Sequence, residues 1–404
     1  MLGCEQESLL PEQALADVQS DDFTWSAPIP ESVTLTDIRA TVINGVLSFA
    51  TAEDFRVAQH AVAKATDAEY SAWADATSGF FPQFLRYRAL VETMENRQTP
   101  FSEEDLTKSD KQFIRIDAEG RPTLRYPSLM YARLLNYEGK VLINGDLNLF
   151  TEAYHMMIDE ADPEKLAIGL ATLTSDYSAG IIVEPFQGMD EDPELEDQKV
   201  HQANFNCPVI RNSAGGFFAD RTDKQTLSGS RQELRSTWLM QVTTLTSNNN
   251  TGELTILYET FINFENWRRQ GLTWKRTQPN TLGSYFRDSG DVFEVDVIFL
   301  DRIQQVFVPG TGNITVASTI NATVSRHAAI NGAVDILTGG ERINGSNGGT
   351  YVFDNEMLTG FFTPGTGAQW SMIYSLNDGT ASVRWTDRGN QVTSDPMSTE
   401  FNCQ

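Results

Sequence analysis

Four histidines stand in the chain, His60, His155, His201 and His327, and none has the neighbours in sequence that would make it catalytic. Nucleophilic and proton-transfer chemistry needs a nucleophile, a base and a stabiliser that converge. No H-E-x-x-H pair, G-x-S-x-G elbow, Walker motif or dinucleotide fingerprint supplies that start. Each histidine therefore reads as a surface or packing residue. Carboxylates are plentiful, with 55 Asp and Glu. A glycosidase needs only two of them at a set separation, so a secreted, glycan-active hydrolase stands as the alternative function. Asn144, Asp146 and Asn148 alternate in "NGDLN" like the opening of a calcium loop. Such a loop would need glycine where Leu149 stands and glutamate where His155 stands, and the stretch reads instead as a strand after a turn. The acidic run from Asp190 to Asp197 reads as a solvated loop. No metal and no cofactor is expected.

Aromatic side chains carry the remaining chemistry. Trp238, Trp267, Trp274, Trp370 and Trp385 all fall in the second half. Exposed rings on a sheet can stack on sugar faces or anchor a protein. "NFENWRRQGLTWKRT" joins Trp267 and Trp274 to Arg268, Arg269, Lys275 and Arg276 in an otherwise acidic chain, which makes these six residues the candidate binding surface. The competing reading is a strand and edge loop with buried tryptophans. Of three cysteines, Cys207 and Cys403 sit in the similar contexts "NFNCP" and "EFNCQ". They can form a disulfide across nearly 200 residues or remain two buried free thiols.

The elements that would have to position these residues follow from patterning. A chain of 404 residues with 23 Phe and 7 Trp has a folding composition and room for two or three domains. Its net charge of -25 repels nucleic acid and anionic membrane surfaces, which excludes both as direct partners. No apolar run reaches the roughly 20 residues of a membrane-spanning helix.

Residues 1–30 are acidic and contain Pro11, Pro28 and Pro30, the composition of a flexible tether. Residues 31–165 read as a mixed α/β domain. It opens with a hairpin at Asn44-Gly45, followed by helices started by Thr51 and Thr66, with an acid three residues on, and a third helix through Phe84 and Met94. A second Asn-Gly hairpin falls at 144–145. Residues 166–202, with "GMDEDPELEDQ", read as an acidic linker or loop. Residues 203–404 read as β-rich. "STWLMQVTTLT" and "GELTILYETFINF" flank the turn "SNNNTG" as a long hairpin, and later runs suggest an antiparallel sandwich. "FVPGTG" and "FTPGTG" read as two similar turns. The fold class expected is α+β, a hairpin-and-helix domain followed by a sandwich-like one.

Three stretches carry a resemblance. Met1-Leu2-Gly3-Cys4 looks like the lipobox of a bacterial lipoprotein, with Cys4 as the lipid-attachment residue; Glu5 and Glu7 resemble the acidic patch that sends lipoproteins of Bacteroidota to the cell surface. The basic and apolar parts of a signal peptide are missing before it, so they are expected upstream. "NGVLSFATAEDF" and "ARLLNYEGKVLINGDLNLFT" resemble the N-terminal part of uncharacterised surface lipoproteins of Bacteroidota. Asn44, Gly45, Leu47, Phe49 and Phe55 match the first motif. Leu134, Leu135, Asn136, Gly139, Val141, Ile143, Asp146 and Thr151 match the second. The resemblance implies an outer-membrane, surface-exposed, lipid-anchored location and no activity. The expected function is a binding or structural component of the cell envelope, with a protein partner, an extracellular glycan or a second copy as its ligand.

Overall fold

A computed structural model describes residues 23–30, 32–97, 99–126 and 128–188. In the second half it describes the backbone of the strands named below with the turn at 249–252, and side chains at 241, 243–257, 259, 261, 267, 355, 357, 359 and 360. In chain order, β1 (Phe23–Trp25), β2 (Ala40–Ile43) and β3 (Val46–Phe49) precede helices α1 (Ala52–Lys64), α2 (Asp67–Ala76) and α3 (Gln83–Asn96). Next come α4 (Asp110–Phe113), β4 (Ile114–Ile116), β5 (Pro122–Leu124) and α5 (Leu129–Ala132), then β6 (Lys140–Ile143), β7 (Asp146–Phe150), β8 (Tyr154–Ile158), α6 (Pro163–Thr172) and β9 (Ile181–Gly188). The second half carries β10 (Asn204–Phe205), β11 (Val209–Ile210), β12 (Gly215–Leu227), β13 (Ser230–Asn248), β14 (Glu253–Gln270), β15 (Thr273–Arg276), β16 (Val292–Phe299) and β17 (Arg302–Phe307). It continues through β18 (Ser318–Ile320), β19 (Val324–Asn331), β20 (Ile336–Thr338), β21 (Glu341–Ile343), β22 (Gly348–Phe361), β23 (Ser371–Leu376), β24 (Asp378–Asp387), β25 (Val392–Thr393) and β26 (Met397–Asn402). The class is α+β.

The local signals act as their chemistry requires. Asn44 and Gly45 both take positive φ, 51° and 80°, and Asn144 and Gly145 repeat this at 54° and 88°. Each pair makes the tight turn that a right-twisted hairpin needs. Thr51 Oγ1 accepts the Asp54 N–H at 3.1 Å and starts α1. Thr66 and Glu69 form a reciprocal capping box at α2. Gly139, at φ 79°, has no room for a side chain, because a Cβ there would lie 2.4 Å from the Phe150 carbonyl oxygen. Its turn is fixed by Asn136 Oδ1, which accepts the N–H groups of Glu138 and Lys140 at 3.0 Å.

One sheet of 12 strands, in the order β1-β22-β14-β13-β12-β9-β8-β7-β6-β3-β2 with β15 beside β14, runs through both halves of the chain. The expected linker at 166–202 is therefore corrected over its first part: most of α6 and all of β9 occupy residues 166–188, because the apolar run "GIIVEPF" joins the sheet between β8 and β12. The acidic run that suggested a linker lies outside the described residues, as do Cys4 and the tether up to residue 22. The expected tether is corrected at its end, where β1 pairs with β22 from Phe23 opposite Gly360 to Trp25 opposite Leu358, and the Ser26 N–H donates to the Met357 carbonyl at 2.9 Å. The main core packs α1, α2, α3 and α5 onto this sheet through Phe49, Phe55, Tyr70, Phe84, Tyr131, Leu257 and Phe261. Burying such side chains stabilises by about 1.5 to 3 kcal/mol each. Two further sheets, β10-β26-β24-β16-β19 and β11-β23-β17-β18, lie in the second half.

Candidate functional site

The titratable groups that differ most from solution behaviour are sealed inside this core. Glu259, on β14, is fully buried and takes donors at both oxygens. Oε1 accepts from Gln59 Nε2 of α1 at 2.7 Å and from Asn355 Nδ2 of β22 at 2.8 Å. Oε2 accepts from the Tyr131 hydroxyl of α5 and from Gln241 Nε2 of β13. Asn355 also donates to Gln59 Oε1 at 2.9 Å, and the Tyr126 hydroxyl donates to Gln241 Oε1 at 2.7 Å. Burial pushes the Glu259 carboxyl up to about 7, against the pull of these donors. Burial likewise holds the Tyr126 and Tyr131 phenols well above their usual value, with the neighbouring Glu259 charge adding to it. His60, one turn along α1 from Arg56 and Lys64, is pushed down to about 3 by burial first and by those two charges second. It is a neutral packing residue.

A second buried cluster serves an unfinished sheet edge. Strand β12 stops pairing with β13 at Val242, and beyond that point the free side of β13 meets side chains instead of a strand. Glu184 Oε1 accepts the Thr244 hydroxyl at 2.6 Å, and its Oε2 accepts the Thr244 N–H at 2.9 Å. Asn148 Nδ2 donates at 3.0 Å to the carbonyl of Leu245, the residue at the bulge in β13. Asp146 Oδ2 accepts the Ser247 N–H at 3.3 Å, and its Oδ1 accepts the Glu160 N–H at 2.9 Å. A buried edge carries backbone groups that must find partners, and these three side chains stand in for the missing strand.

His155 links them. It lies opposite Glu184 in the β8–β9 register, with Nδ1 2.8 Å from Glu184 Oε2 and Nε2 2.9 Å from Asn148 Oδ1. Because the Asn148 amide nitrogen is directed at the Leu245 carbonyl, its oxygen faces the ring, and Nε2 must carry a proton. The combination of histidine, carboxylate and hydroxyl has the membership of a catalytic triad. His155, Glu184 and Thr244 are all buried, and here the hydroxyl donates to the carboxylate rather than to the histidine. Burial, opposed by its two backbone donors, pushes Asp146 up to about 7.

No protein-family model matches the chain. A search of curated proteins also finds no match. Among solved structures, a chain titled "Pore forming protein" aligns over 48% of this chain and 90% of its own at 6% identity, with a TM-score of 0.12; at that score the likeness carries no argument about fold or activity.

The surface expected from the tryptophan-rich segment is corrected at its first residue. Trp267 is 2% exposed, belongs to the main core, and holds the Arg121 guanidinium 5.4 Å from its ring centre. Its face is covered from within by the β4–β5 region, so the ring offers nothing to a ligand. Arg268, Arg269, Trp274, Lys275 and Arg276 form the β14–β15 pair, with Trp267 opposite Arg276, Arg268 opposite Lys275 and Arg269 opposite Trp274; their side chains lie outside the described ones. Cys207 and Cys403 also lie outside the described residues, though the strands just before them do not. β10 and β26 pair in parallel, with Asn204 opposite Glu400 and Phe205 opposite Phe401.

What the described surface does offer is a cleft of about 420 Å³ between the end of α6 and the turn before β9, lined by Ile168, Thr172, Ser175, Asp176, Tyr177 and Ile181. Sequence reading missed it, because α6 was divided between two expected regions. It missed Glu259 and Glu184 too, since a single acid within a strand carries no motif. Two signals were available. Glu259 interrupts the apolar alternation of "LTILYETF", and Asn148 and Asp146 fall on alternate positions of a strand buried throughout.

Proposed function

We propose that this chain is a surface-exposed, lipid-anchored component of the cell envelope that binds a protein or an extracellular glycan and does no chemistry of its own. The observation that carries this reading is the use of the buried acid and base groups among the described residues. Glu259, Glu184, Asp146 and His155 are spent on holding strands together, each bonded to backbone or amide groups, whereas a general acid or base must reach a substrate proton. Cys4 would carry the lipid. The test is the intact mass of the N-terminal peptide of protein from its native host: diacylglycerol on Cys4 with residues 1–3 removed supports anchoring, and an unmodified peptide beginning at Met1 ends it. Turnover of a chromogenic glycoside panel would instead favour the hydrolase alternative.

Two structural parts of the reading have their own support. The two smaller sheets would stack as a β-sandwich, because consecutive strands alternate between them: β10 then β11, β16 then β17, and β23 then β24. That alternation is how a chain crosses from one layer of a sandwich to the other. Cys207 and Cys403 would form a disulfide. Each cysteine stands two residues beyond the paired Phe205 and Phe401, so a continued register sets them opposite one another. Two thiols would lose two electrons and two protons to the oxidant of an exported compartment. Chain-entropy arguments give such a long loop roughly 3 to 5 kcal/mol. A tryptic map before and after reduction decides it, a linked peptide pair supporting the bond and two freely alkylated thiols excluding it.

A further inference from the structure

We infer that α6 and the cleft beside it form a docking face for a protein partner that brings an apolar side chain ringed by lysine or arginine. The inference rests on the proposal that the chain binds rather than catalyses, and it names where and what.

The helix itself poses the question. Its sequence, "PEKLAIGLAT", is apolar without a break from Leu166 to Ala171, a run that belongs to a buried helix, yet Gly169 is its one buried residue. Gly169 lets the helix settle tightly on the sheet; a Cβ there would lie 2.9 Å from the Met156 sulfur and 3.3 Å from Ile181. Helical geometry then sets Ile168 and Leu170 on opposite flanks, with Ala167 and Ala171 on the outward side between them. Ile168 is 54% exposed and Leu170 46%, and Leu173, just past the end, is 50% exposed. Leu173 also sits in the left-handed region, at φ 49° and ψ 35°, where glycine would be free of strain. Three of the five large apolar side chains that stand exposed among the described residues thus fall within six positions.

The cleft supplies an anchor pocket. Its volume of about 420 Å³ falls in the range of small-ligand sites and admits one large side chain between Ile168 and Ile181. Charge decides the occupant. Asp176 lines the cleft, Asp159, Glu160, Asp162 and Glu164 gather at the N-terminal end of the helix, and Lys165 is the one base among them, 3.3 Å from Asp159. Asp176 is held below the usual carboxylate range by the Ser178 hydroxyl and stays anionic. An apolar centre with an acidic rim is complementary to an apolar anchor with a basic rim. A second copy, at -25 and with the same rim, and an anionic bilayer are both repelled.

The test titrates the full chain with fluorescent amphipathic peptides built from Leu and Lys, from Leu and Glu, and from Gln and Lys, the last matching the first in charge. Saturable binding of the Leu/Lys peptide alone is expected, weakened at least tenfold by Ile168→Ser with Leu170→Ser and Leu173→Ser, and equally by Ala167→Arg with Ala171→Arg. Equal binding of the Gln/Lys peptide, or binding unchanged in both variants, would mean nonspecific attraction to an acidic chain and would overturn the proposal. So would absence of binding, uptake by anionic vesicles, or self-association in sedimentation that the variants abolish. Failure here with lipid present on Cys4 removes this partner class alone, and success with Cys4 unmodified removes the anchor alone.

Discussion

Glu259 shows what one buried acid does to pH dependence. Its carboxyl lies near 7 in the fold and near 4.5 in an unfolded chain, so the folded state holds the proton more tightly. That contribution is complete below about pH 4.5 and is lost as pH rises through 7, a change of about 3 kcal/mol. Asp146, raised from 3.8 to about 7, acts in the same direction over a similar window. Denaturant unfolding should therefore give a higher midpoint at pH 5 than at pH 8. Glu259→Gln, which cannot titrate, should shrink that difference, and an equal difference in wild type and variant would show that Glu259 titrates elsewhere. Trp267 makes the opposite kind of point. With its ring in the core, Trp267→Ala should cost about 3 to 5 kcal/mol, read as a lowered melting temperature. The sequence around Trp267 offered two readings, and the local pattern alone could not decide between them, because what covers the ring is Arg121, almost 150 positions away in the chain.

Elements were more legible than single residues. Both Asn-Gly hairpins, the Thr66–Glu69 cap and the long β13–β14 hairpin stand where turn chemistry, capping spacing and β-rich alternation put them, since each depends on neighbours within a few positions. The residues of the two quoted motifs have structural work of this kind: Leu47, Phe55, Leu134, Leu135, Val141 and Ile143 are all in the core, and Thr151 Oγ1 accepts the Tyr154 N–H at 3.0 Å. Helix α6 escaped because a solvent-facing helix with an apolar outer side breaks the rule by which helices are recognised. Its end offers a simple check. Leu173→Gly relieves a left-handed leucine and should raise stability by roughly 1 kcal/mol, measured as a melting shift of a few degrees. No shift would mean that the Leu173 side chain returns as much as its backbone costs.

Across the whole molecule, the expected cut near residue 200 meets a sheet that does not stop there. The N-terminal elements lean on β13, β14 and β22 for the partners of Tyr131, Gln59, Asn148, Asp146 and Glu184. A fragment ending at residue 202 loses all of them and leaves several buried polar groups bare, at about 1 to 3 kcal/mol each. That fragment should fail to give a cooperative unfolding transition by circular dichroism, whereas a fragment that melts sharply would show the N-terminal part to be self-sufficient. Composition marked the change from helix-rich to strand-rich sequence near that point but could not reveal pairing across it.

The reach of these bonds also sets the order of events at synthesis. Arg56 donates to the carbonyl of a residue 299 positions later, and Gln59 bonds Asn355 at a separation of 296. Contacts that distant fold slowly. A ribosome must therefore finish most of the chain before its first helix can find its final neighbours. Until then the polypeptide stays open enough to be threaded through a translocation pore or held by a chaperone.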